Sequence, residues 1–374
     1  MVLVDADHIT NPCNQFIPIP AWLDTSAGNP NCCEGELEAY TGSQPGGRLA
    51  STGRTSTIST PMGVSITLRG ARSISDTPSS SSSLRNWVES VGCVTLQAAA
   101  ACPTYSVERV DIRNRAAVQE LFDRVDPDLV VHFAAESHVD RSIEGSDDFV
   151  ITNCFGTNVV MDTARRLELD RVVHIGTDEV YGSVEVGSSK ETDPLEPRSP
   201  YSASKAGSDL IALSYFSTYG LPVTVTRCTN NFGPYQFPEK VIPLFTTNLM
   251  DGKPVPLYGD GLNERDWIHV DDHCRGVRLV LEKGNPGEIY NIGAGNETPN
   301  RVLVDKLLEK FGVGEEMVTY VTDRLGHDRR YSVDISKVTE LGWAKRRTLD
   351  EALEETVAWY RANEWWWRPL KERG

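Results

Sequence analysis

From Val107 onward the apolar positions fall into short continuous runs alternating with amphipathic stretches. VERVDIRN predicts a strand, RAAVQELFDRVD an amphipathic helix and PDLVVHFAA a buried strand. A helix is expected from around Phe149 to Leu167, followed by a β-branched strand from Arg171 to Ile175. A second long helical pattern opens near Tyr201 and stops at Gly220 and Pro222, before the strand VTVTRC. Strands that are apolar almost throughout, alternating with helices, imply an α/β fold with a parallel sheet.

Past Asn230 the pattern loosens into a second, smaller lobe. It predicts helices at KVIPLFTTNLMDG and VDDHCRGVRLVLEKG, a strand and turn at EIYNIGAG, and a C-terminal amphipathic helix, RTLDEALEETVAWYRANEWW. Trp365, Trp366 and Trp367 are expected to fold onto the body rather than to form a stacking platform. Residues 1–105 are different. VLV at the start and VSITLR near Val64 pass as strands, but periodicity is otherwise poor, and Ser79 to Ser83 form a polar run. By composition this stretch reads as loop or disorder. The expected organisation is thus 1–105 atypical, 106–230 a cofactor-binding and catalytic region, and 231–374 mainly a substrate lobe.

Composition narrows the function. The 374 residues carry a formal charge of −16, which argues against nucleic acid as a partner. No run of eighteen apolar residues occurs, and no basic-then-apolar leader opens the chain, so a cytoplasmic protein off the membrane is expected. The eight cysteines show no ligand-like spacing, and no metal site is expected.

The chemistry concentrates between Arg171 and Lys205. The strand ends at Gly176, and Thr177, Asp178 and Glu179 follow at its mouth. Tyr201 and Lys205 are four apart on a helical pattern, hence on one face. An ammonium beside a phenol favours phenolate, so Tyr201 is a candidate to take a hydroxyl proton. Two adjacent carboxyls can serve as acid and base if their environments separate their pKa values.

Around this centre HFAAESHVDRS, IGTDEVYG, PYSASK, NNFGPYQFPEKVIP, GDGLNERDWIHVDD, YNIGAGNE and DRLGHDRRYSVD follow in order. Together they resemble the nucleoside-diphosphate-sugar 4,6-dehydratases of the extended short-chain dehydrogenase/reductase group, over roughly residues 107–362. The resemblance implies a Rossmann-like sheet flanked by helices, NAD as cofactor, dTDP-glucose as substrate and a homodimer. It implies that Tyr201 deprotonates the glucose 4-hydroxyl, Glu179 removes the C5 proton and Asp178 protonates the departing C6 hydroxyl. Thr177 would bind the 4-oxygen, and Lys205 the nicotinamide ribose. Asp111 and Ile112 would frame the adenine; Ala134, Ala135, Thr152 and Asn231 would line the cofactor. Ser137, Asn230, Lys240, Arg265, Asn291, Arg324 and His327 would hold the sugar nucleotide. The dimer helix would run from Ser202 to Tyr219 and offer Ile211, Leu213 and Phe216 for burial.

Two positions depart from the family. Gly176 stands where a hydroxyl residue is usual, with only local packing expected to change. The opening MVLVDADHIT has the family's first strand but not its Gly-x-x-Gly-x-x-Gly turn, which normally brings backbone N–H groups to the pyrophosphate. Either residues 4–105 derive from an altered reading of the coding sequence, or this region holds NAD another way. The alternatives are a UDP-sugar 4-epimerase or decarboxylase of the same group, which does not need the Asp178–Glu179 pair, and a sugar-nucleotide-binding protein without activity.

Overall fold

The computed structural model describes residues 2–4, 55–60, 64–69, 105–108, 110–295 and 297–371. The strands are β1 (Val2–Val4), β2 (Thr55–Thr60), β3 (Val64–Arg69), β4 (Tyr105–Glu108), β5 (Leu129–His132), β6 (Arg171–Thr177) and β7 (Val223–Cys228), then β8 (Asn230–Phe232), β9 (Val255–Tyr258), β10 (Glu264–His269), β11 (Ile289–Ile292), β12 (Glu297–Pro299) and β13 (Val318–Val321). The main sheet runs β11-β7-β6-β5-β1-β3-β2, with β4 paired to β3. From β11 to β1 every pairing is parallel, the Rossmann-like arrangement expected. Beyond β1 the character changes, because β3 pairs antiparallel with β1, β2 and β4. The strand Thr55–Thr60 was not legible in the sequence, where TSTIST offers a single large apolar residue, Ile58, and so no alternation to mark a face. The missing glycine turn after β1 lies outside the described residues.

Helices cover both faces. One face carries α1 (Arg115–Val125), α2 (Val139–Glu144), α3 (Thr157–Arg166) and α4 (Pro200–Tyr219). Its core includes Phe122, Val159, Met161, Val172 and Ala212. The chain enters α3 through a helical turn, Asp147–Phe149, and a π-helical segment, Val150–Gly156. Here Gly156 is obligatory: a Cβ would stand 2.4 Å from Ile112 Cδ1. Helix α4 starts where Ser199 and Ser202 cap each other's backbone N–H groups with Pro200 between them, and it ends at Gly220, whose φ is 74°.

The second face and the second lobe use α5 (Val241–Met250), α6 (Val270–Lys283), α7 (Asn300–Phe311), α8 (Ser336–Glu340), α9 (Leu349–Ala362) and α10 (Glu364–Lys371). Val277, Val280, Tyr290, Ile292 and Trp343 form the core behind the main sheet. Phe232, Ile242, Phe245, Leu257, Trp267, Leu303 and Leu353 form the lobe's own core. The division at residue 230 is therefore not clean, since β11 pairs with β7 and α6 packs into the core behind the main sheet. Of the three tryptophans expected to fold onto the body, Trp367 is fully buried and Trp366 partly so, whereas Trp365 is 52% exposed. No helix among the described residues is long and apolar enough to cross a membrane.

Candidate active site

Strand β6 delivers the centre of the site. Its last residue, Thr177, is extended, and its hydroxyl accepts from the Glu179 backbone N–H at 3.3 Å, closing a single 3₁₀ turn over Asp178–Tyr181. That cap fixes two consecutive carboxyls at the strand mouth. They differ in surroundings. Asp178 is 3% exposed and its Oδ2 has no partner. Burial and the neighbouring Glu179 push its carboxyl well above the ordinary range. Glu179 is half-buried. Burial raises it too, but Arg324, Arg265 and Lys240 pull it back toward the charged form. Both carboxyls are therefore raised, but unequally: Asp178 is pushed well above its ordinary range, and the cations limit the rise at Glu179, so Asp178 is the stronger proton holder of the two.

Helix α4 supplies Tyr201 and Lys205, both buried. Thr177 hydrogen-bonds the Tyr201 hydroxyl, yet burial and the nearby Glu179 push that phenol well above its usual value. The expected lowering by Lys205 is not seen, because the ammonium is turned into the strand and donates to the Ile175 carbonyl at 2.6 Å. The carbonyl holds the ammonium in place of the phenol, so Lys205 is seated as a local cation rather than paired with Tyr201.

A buried polar chain lies beneath. Arg227 Nε donates to Asp209 Oδ2 at 2.9 Å, and His174 Nε2 is 3.3 Å from Asp209 Oδ1. Burial raises Asp209, but His174 and Arg227 outweigh it and hold the carboxyl below its ordinary range. Gly176 belongs to this chain. A Cβ there would stand 2.8 Å from Asp209 Oδ1 and 2.9 Å from the Thr226 carbonyl, so the departure lets the carboxylate approach the strand. The Arg227 guanidinium stacks over Tyr181, whose hydroxyl donates to Asn291 Oδ1 at 2.8 Å.

Sequence reasoning missed Asp209, His174 and Arg227, and also Asn153. The Asn153 side chain bonds both the N–H and the carbonyl of Glu136 and also Ser204, tying the loop after β5 to α4. A polar residue inside a predicted helix, with polar neighbours across the fold, gives no contiguous signal.

The remaining positions sort by what they have free. Ala134 is buried and small at the end of β5, as a cofactor wall requires, and Ala135 is partly buried beside it. Thr152 Oγ1, Asn230 Oδ1 and Asn231 Oδ1 are buried without partners, which suits groups awaiting a ligand. Asp111 is engaged by the backbone and side chain of Arg113. The Ile112 side chain is 0% exposed in the core against Gly156, so it offers no side-chain surface to an adenine.

In the second lobe Lys240 Nζ donates to the Ser137 carbonyl at 2.8 Å, bringing those two expected residues together. Arg265 donates to the Glu264 and Asp328 carbonyls and lies over Tyr331. Arg324 keeps a buried Nε without a partner. His327 bonds Asp323 through Nδ1, and burial and Arg324 lower its pKa. Asn291 does not fit its expected role. It is 0% exposed, and its amide is spent on Tyr181, Ser189 and Asp334. Asn300, nearby on the chain, instead keeps a buried Oδ1 without a partner. Among the described residues no cluster of His, Cys, Asp or Glu could hold a metal.

The family profile of GDP-mannose 4,6-dehydratase matches residues 80–356. The dTDP-glucose 4,6-dehydratase of Streptomyces antibioticus is 57% identical over 272 residues, 72% of this chain and 81% of the relative. The low-salt glycan biosynthesis protein Agl12 of Haloferax volcanii is 47% identical, over 69% of this chain and 83% of its own. The crystal structure of DesIV, a dTDP-glucose 4,6-dehydratase from Streptomyces venezuelae with NAD and TYD bound, superposes with a TM-score of 0.68 at 54% identity, covering 70% of this chain and 81% of that one.

Proposed function

The chain belongs to the dTDP-glucose 4,6-dehydratases, within the GDP-mannose 4,6-dehydratase family, and from that premise we infer that it dehydrates dTDP-glucose to dTDP-4-keto-6-deoxyglucose for deoxysugar biosynthesis, with NAD as cofactor. The observation that carries the residue assignment is the unequal carboxyl pair. Elimination of water β to a ketone needs a base at C5 and an acid at the C6 hydroxyl. Of the two raised carboxyls Asp178 is pushed well above its ordinary range while nearby cations limit the rise at Glu179, which suits them to acid and base respectively.

In this reading Tyr201 takes the proton of the 4-hydroxyl as phenolate, a form that requires the Lys205 ammonium to turn from the Ile175 carbonyl to the phenol, while Thr177 holds the oxygen. NAD, where bound, would supply the hydride acceptor for C4 and the hydride donor for C6. Glu179 then removes the C5 proton, the C6–O bond breaks, and Asp178 protonates the leaving oxygen, releasing one water. On reduction the proton returns to C5. Lys205, Thr152, Asn231, Ala134 and Ala135 would hold the nicotinamide end. Unpartnered buried oxygens on Thr152 and Asn231 fit a ligand there. Lys240, Arg265, Arg324 and His327 would hold the diphosphate and nucleotide, with Asn230 and Ser137 nearer the sugar. Guanidinium suits phosphate because its fork matches two oxygens at once.

The same reading includes a homodimer. Val150, Ile151 and Phe155 on the π segment and Leu210 on α4 are 45–58% exposed. The two elements pack together through Cys154 and Ser204, so these residues support one apolar face. Of the expected residues Phe216 stays exposed, but Ile211 and Leu213 pack inward against the core, and Leu210 points out instead.

A mass measurement on dTDP-glucose incubated with the chain and NAD⁺ should read the loss of one water. Glu179→Gln should still form NADH but lose product formation by about 10²–10⁴-fold. Unchanged product release by Glu179→Gln would overturn the base assignment. A thermal-shift titration with NAD⁺ tests the cofactor half-site. A saturable rise is expected, about 2.7 kcal/mol at a hundredfold excess over Kd; no rise at millimolar NAD⁺ would mean this chain does not hold the cofactor.

A further inference from the structure

Tyr235 lies in the NNFGPYQFPEK segment, between Asn231 and Lys240, and its φ is 63°. A tyrosine in the left-handed region is uncommon, and such residues persist only where their surroundings hold them. The surroundings come from the far end of the chain. The Tyr235 ring meets Trp359 of α9 edge-on at 4.2 Å between centroids and Trp366 of α10 at 5.3 Å. The next residue is held from both sides: Tyr360 donates its hydroxyl to the Gln236 carbonyl, and Gln236 Nε2 donates to the Asn231 carbonyl at 2.8 Å. Helix α10 is itself fastened to α9, since Trp367 Nε1 donates to the Tyr360 carbonyl at 2.8 Å. Four residues beyond Gln236, Lys240 reaches back to the Ser137 carbonyl.

We propose that Tyr235, gripped by Trp359 and Trp366 while Tyr360 holds the adjoining Gln236 carbonyl, is a positioning residue through which the C-terminal helices set Lys240 and thereby the affinity for the nucleoside diphosphate. This inference rests on the assignment of that segment to the sugar nucleotide. It predicts a role for residues that touch neither the reacting atoms nor the ligand. The three aromatic residues that hold Tyr235 and Gln236 come from two helices that would otherwise only close the lobe's core.

The test compares the full-length wild type with Tyr360→Phe and Trp366→Ala, using dTDP as the binding probe. Tyr360→Phe removes one hydroxyl and keeps the ring, so it reads the hydrogen bond even if Trp366→Ala fails to fold. Both variants should weaken dTDP binding by about threefold to tenfold, the value of one hydrogen bond. They should raise KM for dTDP-glucose by the same factor, with kcat and NAD⁺ affinity within about twofold. The wild type should change its tryptophan emission on binding dTDP. Wild-type dTDP affinity in a folded Tyr360→Phe variant would overturn the positioning role and leave the enzyme assignment standing. A wild type that does not bind dTDP would overturn both.

Discussion

Arg227 and Arg265 are buried almost equally, at 2% and 4% exposed, and they are held in opposite ways. Arg227 sits behind the catalytic helix with its Nε on the Asp209 carboxylate and its plane over Tyr181. Arg265 sits in the second lobe with its guanidinium on two backbone carbonyls and over the Tyr331 ring. A buried cation with a carboxylate partner is neutralised inside the fold. One seated on carbonyls keeps its charge unspent, available to an incoming anion. The comparison separates a charge that holds the scaffold from one without a carboxylate partner, which the proposed reading gives to the substrate, although burial alone makes them look alike.

Arg227→Met should have the largest effect on stability. It leaves Asp209 buried with His174 beside it and the Lys205 ammonium nearby but no paired guanidinium, and breaking one side of a buried pair costs about 3–5 kcal/mol. Urea unfolding of the variant at neutral pH reads this directly. A loss under about 1 kcal/mol would show that Asp209 is not held charged by Arg227.

The same contrast explains what the sequence disclosed. Thr177, Asp178 and Glu179 were legible because strand, cap and turn are consecutive, and Tyr201 and Lys205 because helical spacing puts both on one face. Asp209, His174 and Arg227 come from α4, β6 and β7, and no local pattern announces that three elements will meet. Asn291 misled for a related reason: it sits inside a recognisable motif, but the motif's strand is a buried edge of the main sheet. The orientation of Lys205 was also hidden, because spacing gives the face and not the acceptor. The antiparallel pairing of β3 with β1 is non-local, which periodicity cannot report.

A third buried group has neither kind of support. His273 is 4% exposed with its Nε2 unpartnered, and burial lowers its pKa to about 4. The unfolded chain, near 6.5, binds the proton more tightly than the folded one. The stability this group contributes is therefore complete above about pH 6.5 and is lost as pH falls toward 4, reaching roughly 2–3 kcal/mol. His273→Leu should reduce that acid loss by about this amount relative to wild type, read by urea unfolding at neutral pH and near pH ~4.5. Equal acid losses in both proteins would mean that His273 finds a proton acceptor in the fold.

Arg265→Met sharpens the opening comparison most finely, because it should separate binding from stability. The methionine keeps apolar contact over Tyr331, and no paired carboxylate is left stranded, so unfolding should change by only about 1 kcal/mol. Substrate binding should suffer more: a charge-assisted hydrogen bond contributes about 1.5–3 kcal/mol, so KM for dTDP-glucose should rise roughly tenfold to a hundredfold. The substitution also removes a cation that favours the charged forms of Glu179 and Asp178. Without it Glu179 holds its proton to higher pH, and the acid limb of kcat should move upward in pH. A variant that lost stability as Arg227→Met does, with KM unchanged, would make Arg265 a scaffold charge after all. A raised KM, an intact fold and a shifted acid limb together would identify it as a charge the fold leaves open to its substrate, one that also tunes the base at C5.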